Sequence, residues 1–517
     1  MASHVANHGP GSQFFHGGTG NQNIVQHILS GETGKPNTSA INRKLLSALR
    51  RTDPRDDKLR IERTKGGLLR DSYRWILDDD DFVRWRYDPE RRLLWIRGDP
   101  GKGKTMLMCG IIDELNRYEE YKPLYFFCQA TNSDLNNATS VLRGLLYSFL
   151  AQHPESCDLV PSFRQRFKHS QGNLFADTNV WDALNSTFKN ELLHHEAFKD
   201  VVIIIDAMDE CTHDLKELLE FVIGVSSHLN PIKVIVSSRI WLQVEERMRD
   251  VPHVTSISLE DNRPAVSKAV TNYIRAKTEQ LASQRNYTIQ QKEEMRSYLT
   301  TNAHHTFLWV ALVIEQLEHR RDGDHATTMR PQDLPPGLGP FFQRMFDQIL
   351  EDEEDYPKDV ELCIQVLSVT STVYRPVTLV ELESLMQLPH ESLEETIMLC
   401  RSILTVDRGT VYFVHQSAKD FLLQHQQHRI MLNGLAQVHH SIFRSALYTM
   451  SSILRRDMYD LKFPGAPVPE TPPNQNLAPA TYSCLHWVDH LLDGGPTAQQ
   501  LQKCVPRFLK LHYLHCI

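Results

Sequence analysis

The sequence lacks any apolar run long enough to cross a membrane, which requires about 18 or more apolar residues. Its first residues, MASHVANHGPGSQFFHGG, lack the charged start and apolar stretch of a signal peptide. Basic residues are not in excess, because 56 Lys and Arg stand against 64 Asp and Glu and give a formal charge of −8. Binding to phosphate-rich surfaces needs concentrated positive charge. We therefore expect a cytoplasmic protein with no membrane span and no nucleic-acid partner.

Cysteine is sparse and irregularly spaced. The nine cysteines are odd in number, and Cys109, Cys128 and Cys211 lie in or beside apolar stretches, which favours buried, reduced thiols over a disulfide framework. The 25 histidines occur in pairs such as His194–His195 and His304–His305, without cysteines at metal-ligand spacing. A zinc finger is therefore not expected.

What the chain does have is length and an ordinary residue balance. With 517 residues, 41% hydrophobic and 23% charged, it is typical of a globular protein of about three or four domains. Apolar runs at 93–97, 124–128, 201–205 and 233–238 alternate with stretches of helical periodicity. This alternation predicts a parallel sheet covered by helices on both faces. From about residue 260 the pattern becomes helical, so the chain should be mostly α overall.

A phosphate-binding motif follows the first predicted strand. It has the form G-x-x-x-x-G-K-[ST] and consists of Gly98, Asp99, Pro100, Gly101, Lys102, Gly103, Lys104 and Thr105. Glycines let the backbone wrap a phosphate, and the following helix presents its positive end to the anion. We expect Lys104 to reach the β- and γ-phosphates and the Thr105 hydroxyl to bind Mg²⁺. The position of the motif, between a strand and a helix, predicts an α/β P-loop NTPase.

A second motif of acidic residues follows the most strand-like run of the chain, at 201–205. Asp206 ends this run and is the expected magnesium ligand, acting mostly through water. Asp209 and Glu210 either orient and deprotonate an attacking water or only cap the next helix. Arg239 follows the next strand, at the edge where ligands bind in open α/β sheets. It either senses the γ-phosphate or forms a surface salt bridge.

Several segments resemble the NACHT module of fungal STAND proteins, NOD-like receptor relatives that include vegetative-incompatibility proteins. They are LLWIRGDPGKGKTML, VVIIIDAMDEC and VIVSSR, with RTKGGLLRDSYRWIL preceding the module and TVYFVHQSAKDFLL at its winged-helix end. The resemblance extends over roughly residues 60–425. It implies a switch between an ADP-bound closed state and an ATP-bound open state, with Mg²⁺ as the metal. Opening in such proteins drives homo-oligomerisation.

The same resemblance implies a role for one histidine, whereas one stretch of the chain departs from the family pattern. His415, in TVYFVHQSAKDFLL, is the candidate for the winged-helix histidine that reaches the β-phosphate of ADP and holds the closed state. Alternatively, His415 only packs within the winged-helix core. The stretch NAHHTFLW at 302–309 departs from related ATPases, which carry a Gly and often a Pro near the base. Contacts to the base are therefore left unassigned.

Pattern and resemblance together divide the chain into six segments. These are a disordered Gly/Asn/Gln-rich segment at 1–40, a helical linker at 41–90, the NACHT P-loop core at 91–260, a helical domain at 261–345, a winged-helix-like domain at 346–425 and a helical region at 426–517. Since relatives continue into repeats, we expect the chain to stop before a repeat sensor. The N-terminal segment is either a flexible tail or an amyloid signalling motif that stacks as cross-β and engages a downstream effector.

The leading functional hypothesis is an ATP/ADP-dependent signal-transduction switch in fungal innate immunity, heterokaryon incompatibility or programmed cell death. Such a switch is expected to be a slow ATPase. One alternative is a P-loop NTPase that turns over constitutively, and another is a scaffold in which nucleotide is only structural. Slow turnover with retained ADP indicates the switch, and fast turnover indicates the enzyme. Assembly that does not depend on the phosphate state indicates the scaffold.

Overall fold

The computed structural model describes residues 6–7, 13–14, 36–130, 132, 134–152, 154–170, 174–228, 232–249, 251–318, 334–350, 356–455, 475–495 and 503–516. Strands β1 (Ala6–Asn7) and β2 (Gln13–Phe14) pair antiparallel. The rest of the predicted N-terminal segment up to residue 35, with most of the predicted amyloid motif, lies outside the described residues. Helix α1 (Pro36–Leu49) begins inside the segment that was expected to be disordered. Its Leu45 and Leu49 are buried, and this packing stabilises the helix.

Three helices lead into the central sheet. They are α2 (Pro54–Thr64), α3 (Arg70–Tyr73), which continues as a 3-10 turn at Arg74–Asp78, and α4 (Asp80–Tyr87). The side chain of Asp79 caps α4 by accepting hydrogen bonds from the amides of Asp81 and Phe82. Asp80 and Asp81 lie in the first turn of α4, in agreement with the preference for acidic groups at helix N-termini.

The central sheet has five parallel strands in the order β4-β5-β6-β3-β7, which confirms the predicted fold class. The strands are β3 (Leu93–Arg97), β4 (Lys122–Phe127), β5 (Val201–Asp206), β6 (Lys233–Ser238) and β7 (Val254–Ser258). All six residues of β5 are buried, as expected for a strand covered on both faces. Strand β6 lies between β3 and β5, so it separates the P-loop strand from the strand that ends in Asp206.

Alternate residues of the strands pack into two separate cores. Leu93 and Trp95 of β3 belong to one core, whereas Leu94 and Ile96 belong to the other. The first core is completed mainly by α1 and the helices that follow β4 and β5. The helices of this part of the chain are α5 (Lys104–Leu115), α6 (Ala138–Gln152), α7 (Pro161–His169), α8 (Val180–Thr187), α9 (Leu215–Ser226) and α10 (Leu242–Arg249).

The second core continues from the sheet into the C-terminal half, where Phe346, Leu382 and Leu422 join the same buried cluster. The elements there are α11 (Arg263–Arg285), α12 (Ile289–Asn302), α13 (Phe307–Glu318), α14 (Leu338–Leu350), α15 (Pro357–Thr372), α16 (Leu379–Met386), α17 (His390–Leu399), β8 (Leu404–Asp407), β9 (Thr410–Phe413), α18 (Gln416–His425), α19 (Gln427–Ile430), α20 (Leu435–Ile453), α21 (Thr481–Asp493) and α22 (Val505–Cys516). Helix α14 runs through the predicted domain boundary at 345–346.

Strands β8 and β9 form an antiparallel hairpin around Asp407-Arg408-Gly409. Asp407 pairs with Thr410, and Arg408 and Gly409 make the turn with positive φ angles of 49° and 77°. Two consecutive positive φ angles are what a two-residue hairpin turn matched to strand twist requires. Within the described ranges, none of the helices combines the length and apolarity that crossing a membrane requires.

Candidate functional site

The P-loop connects β3 to α5 at the carboxyl edge of the sheet. Gly101 and Gly103 adopt positive φ angles of 77° and 87°. A Cβ at Gly101 would come within 2.8 Å of the Thr306 side chain, and one at Gly103 within 2.8 Å of the Phe307 ring. Both positions therefore require glycine for conformation and for space. The stretch at 302–309 that departs from the family pattern packs directly against the P-loop.

Lys104 is the first residue of α5, and its ammonium group folds back over the loop. Its Nζ donates to the carbonyl oxygens of Gly98 at 2.5 Å and Asp99 at 3.1 Å. Burial lowers the pKa of Lys104, while the negative charges of Asp209 and Asp206 oppose that change. The ammonium thus lies at the mouth of the P-loop, close to both carboxylates of the acidic motif.

Asp206 is buried at the end of β5 and is held by two hydroxyl groups. Its Oδ1 accepts a hydrogen bond from Ser237 Oγ at 2.5 Å, and the Thr105 hydroxyl is a second partner. Ser237 Oγ also accepts the amide hydrogen of Ala207 at 2.9 Å. Burial raises the pKa of Asp206, and the bonds from Ser237 and Thr105 oppose the rise. Ser237 therefore fixes the orientation of the carboxylate.

These residues fit a magnesium ion that is bound together with a nucleotide. Among the residues that the structure describes, no group of three or more His, Cys, Asp or Glu side chains could hold a metal by itself. Mg²⁺ usually binds through one or two carboxylates, waters and substrate phosphates instead of an all-protein cage. Asp206 and the Thr105 hydroxyl make such a partial ligand set, which nucleotide phosphates would complete.

Asp209 and Glu210 lie in a 3-10 turn at Met208–Glu210. Neither caps α9, whose N-cap residue is Asp214, so the helix-cap alternative is wrong. The carboxylate of Asp209 accepts the Arg239 amide hydrogen at 3.0 Å, and its other oxygen lies 3.2 Å from Arg239 Nε. Asp209 is thereby committed to positioning Arg239.

Glu210 has a different environment from that of Asp209. Its Oε2 accepts the amide hydrogen of Ala130, just beyond β4, at 3.0 Å. Burial raises the pKa of Glu210 to about 7, although the bond from Ala130 opposes the rise. A carboxylate that titrates near neutral pH is suited to accept a proton from water. Of the two predicted catalytic residues, Glu210 is the better candidate for the base.

Arg239, at the end of β6, contacts carboxylates from two distant parts of the chain. Besides Asp209, its Nη1 lies 2.7 Å from Oδ2 of Asp420 in α18. The side chains of Arg239 and Asp420 are 22% and 24% exposed, so this salt bridge is partly buried. Burial alone would lower the pKa of Arg239, but the contacts with Asp420 and Asp209 outweigh it and raise the pKa.

His415 is the N-cap residue of α18. Its Nδ1 accepts the amide hydrogen of Ser417 at 3.0 Å and lies 3.0 Å from the Ser417 hydroxyl. Burial lowers the pKa of His415 to about 3, and the charges of Lys65, Arg239 and Lys104 act in the same direction. The imidazole is therefore neutral near pH 7. Because Nδ1 is an acceptor, the ring proton is on Nε2, which can serve as a hydrogen-bond donor.

The structure thus brings together Lys104, Thr105, Asp206, Asp209, Glu210, Arg239 and His415. Sequence reasoning missed three residues of this site. Ser237 orients Asp206, Asp420 pairs with Arg239, and Glu260 Oε1 accepts the amide hydrogen of Asp99 in the P-loop at 2.7 Å. Ser237 is the second-last residue of β6 at the carboxyl edge, and Asp420 follows His415 by five residues. Strand topology and the predicted winged-helix segment were therefore the available signals.

Comparison with known proteins agrees with the motifs. Residues 71–239 match the family model described as Nephrocystin 3, N-terminal, a range that ends at Arg239. The vegetative incompatibility protein HET-E-1 of Podospora anserina is 43% identical over 472 residues, which cover 87% of this chain and 34% of that protein. Over most of its length the chain is similar to this fungal vegetative incompatibility protein. The resemblance inferred from the motifs is confirmed.

The chain spans about a third of the length of HET-E-1. Among solved structures, it is similar to a Signal Transduction ATPase with Numerous Domains protein with a tetratricopeptide repeat sensor from Pyrococcus horikoshii. That match has a TM-score of 0.39 and 13% identity and covers 84% of this chain and 49% of that one. A Walker-type ATPase of Pyrococcus abyssi matches with a TM-score of 0.33 and 11% identity, covering 69% of this chain and 96% of that one.

Proposed function

We propose that the chain is an ATP/ADP-dependent signalling switch in the cytoplasm, acting in heterokaryon incompatibility, innate immunity or programmed cell death of fungi. One observation carries the proposal: the N-terminal part of α18 lies in the same site as the P-loop core. Arg239 and Asp420, which are 181 residues apart, are joined by a hydrogen bond of 2.7 Å. A ligand bound in a site that two parts of the chain share can bias their arrangement if it binds one arrangement better.

Nucleotide with Mg²⁺ is the ligand that suits this site. The P-loop glycines and Lys104 would hold the phosphates, and Asp206 with Thr105 would hold the metal. In this proposal, Glu210 accepts a proton from water during slow hydrolysis. The identity of 43% with a vegetative incompatibility protein supports a role in the same kind of signalling. The constitutive NTPase and the scaffold are the alternatives that the experiments below separate.

The closed arrangement in this proposal contains ADP and the open one contains ATP. Opening exposes surfaces through which copies of the chain assemble. Assembly would bring the N-terminal segments together, because tethering raises the effective concentration to about the millimolar range. A downstream effector would then be engaged through that segment. Whether the segment stacks as cross-β or stays flexible is a separate part of the proposal.

The proposal is tested by two measurements on the purified chain. We expect the protein to release ADP when it is denatured, which chromatography of the released nucleotide identifies. We expect size measurements to show a monomer with ADP and an oligomer with a non-hydrolysable triphosphate. Fast turnover without retained nucleotide would favour the constitutive enzyme. An assembly state that is the same with both nucleotides would favour the scaffold and contradict the switch.

The predicted contact between His415 and the β-phosphate gives a sharper test. If the Nε2–H of His415 donates to ADP only in the closed state, the bond is worth about 1.5–3 kcal/mol, or roughly a 10- to 150-fold change in population. His415→Ala should then speed ADP release by about that factor and raise the oligomer content without ligand. Stopped-flow displacement of a fluorescent ADP measures the rate.

A second variant separates this role from capping of α18. His415→Asn keeps a side-chain acceptor for the Ser417 amide but removes the distant N–H group. We expect it to release ADP as fast as His415→Ala while retaining more of the melting temperature. If His415→Asn releases ADP at the wild-type rate, His415 only caps the helix and packs.

A further inference from the structure

The carboxylate of Asp420 is held between Arg239 and a residue of its own helix. Its Oδ2 lies 2.7 Å from Nη1 of Arg239, and its Oδ1 accepts a hydrogen bond from Nε2 of Gln416 at 3.0 Å. The Asp420 side chain is 24% exposed, so the pair is only partly accessible to water. Resting on the proposed function, we infer that Asp420 makes the closed site selective for the diphosphate by holding the arginine that a γ-phosphate would need.

The charges in the site support competition between Asp420 and a third phosphate. The described core contributes Asp206, Asp209 and Glu210, and the cations that act on them are Lys65, Lys104 and Arg239. Asp420 adds another acidic group to this cluster and contacts Arg239 directly. A triphosphate carries more negative charge than a diphosphate. Like charges in a partly buried site are mutually unfavourable. Triphosphate is therefore disfavoured while Asp420 remains in place.

Asp420 is the acidic group of the site that does not belong to the sheet or to the turns that follow its strands. Asp206 belongs to β5, and Asp209 is held by Arg239 through both of its oxygens. Asp420 instead belongs to α18, which packs in the C-terminal half of the chain and reaches Arg239 across a sequence separation of 181 residues. Movement of α18 frees Arg239 for a γ-phosphate, whereas ADP leaves the pair undisturbed. The movement of α18 that opens the site therefore also removes the preference for the diphosphate.

Asp420→Asn tests the inference, because it keeps the size and a hydrogen-bond acceptor and removes only the charge. Calorimetric titration with Mg·ADP and with a magnesium-bound non-hydrolysable ATP analogue gives the ratio of the two affinities. We expect the affinity for the analogue to rise about tenfold relative to that for ADP, which corresponds to about 1.4 kcal/mol. Asp420→Glu, which keeps the charge, should restore a ratio near that of the wild type.

Two further variants complete the experiment. Asp407→Asn removes an exposed carboxylate from β8 and should leave the ratio unchanged. Asp420→Ser is too short to reach Arg239 and should shift the ratio in the same direction as Asp420→Asn. Equal changes in both affinities, or none, in Asp420→Asn and Asp420→Ser would overturn the inference and leave the switch standing. A wild-type chain that binds neither nucleotide would overturn the proposed function and the inference with it.

Discussion

Lys104→Ala is expected to remove most of the thermal stabilisation that Mg·ATP gives to the protein. Lys104 supplies the ammonium group at the mouth of the P-loop, where it donates to the carbonyls of Gly98 and Asp99. A nucleotide at 100 times its dissociation constant stabilises a protein by about 2.7 kcal/mol. For a domain of the size of the P-loop core, this is a rise in melting temperature of roughly 5–10 °C. Thermal denaturation with and without Mg·ATP measures the shift.

The matched control is Lys168→Ala, which removes the same side chain from an exposed position in α7. It should keep the full shift with Mg·ATP, since α7 contributes nothing to the phosphate site. Without nucleotide, Lys104→Ala is expected to melt close to the wild type, because burial already disfavours the charged form of Lys104. A full Mg·ATP shift in Lys104→Ala would mean that the phosphate site has been misassigned.

The sequence was sufficient for those parts of the fold that depend on local pattern. Residues 201–205 are β-branched throughout, and 233–238 is a run that the structure reproduces as β6 with the same bounds. Strand β7 was missed because Thr255 and Ser256 interrupt its apolar residues, so the run VTSIS has no buried-strand pattern. It is held in the sheet by pairing with β3, which is a tertiary effect that periodicity does not report.

The residues of the candidate site also divide into those that a local motif predicts and those that only the fold brings together. The P-loop and the acidic motif at Asp206 are each continuous in the sequence, so their chemistry can be predicted from residue order alone. Ser237 and Asp420 act through partners 31 and 181 residues away, and only the folded chain brings them together. The sequence could not decide between a catalytic role and a helix-cap role for Asp209, because its pairing with Arg239 depends on the adjacent ends of β5 and β6.

Glu210→Gln is expected to slow hydrolysis by about 10²–10⁴-fold, the usual contribution of a positioned general base. The amide keeps the shape of the side chain and an acceptor for the Ala130 amide, so nucleotide binding should change little. The pKa of Glu210 is about 7, and a base acts in its deprotonated form. Wild-type hydrolysis should therefore rise with pH from about 6 to 8, and the residual activity of Glu210→Gln should not.

Two controls separate the base from its neighbours. Glu220→Gln alters an exposed carboxylate of α9 that pairs with Arg247, and such pairs contribute little, so hydrolysis should be unchanged. Asp209→Asn loosens the arginine that it positions, so it should weaken triphosphate binding while the rise of hydrolysis with pH remains. Hydrolysis at the wild-type rate in Glu210→Gln would move the base to Asp209 or to none of these residues. A flat pH profile in the wild type would mean that Glu210 is not the group that titrates during turnover.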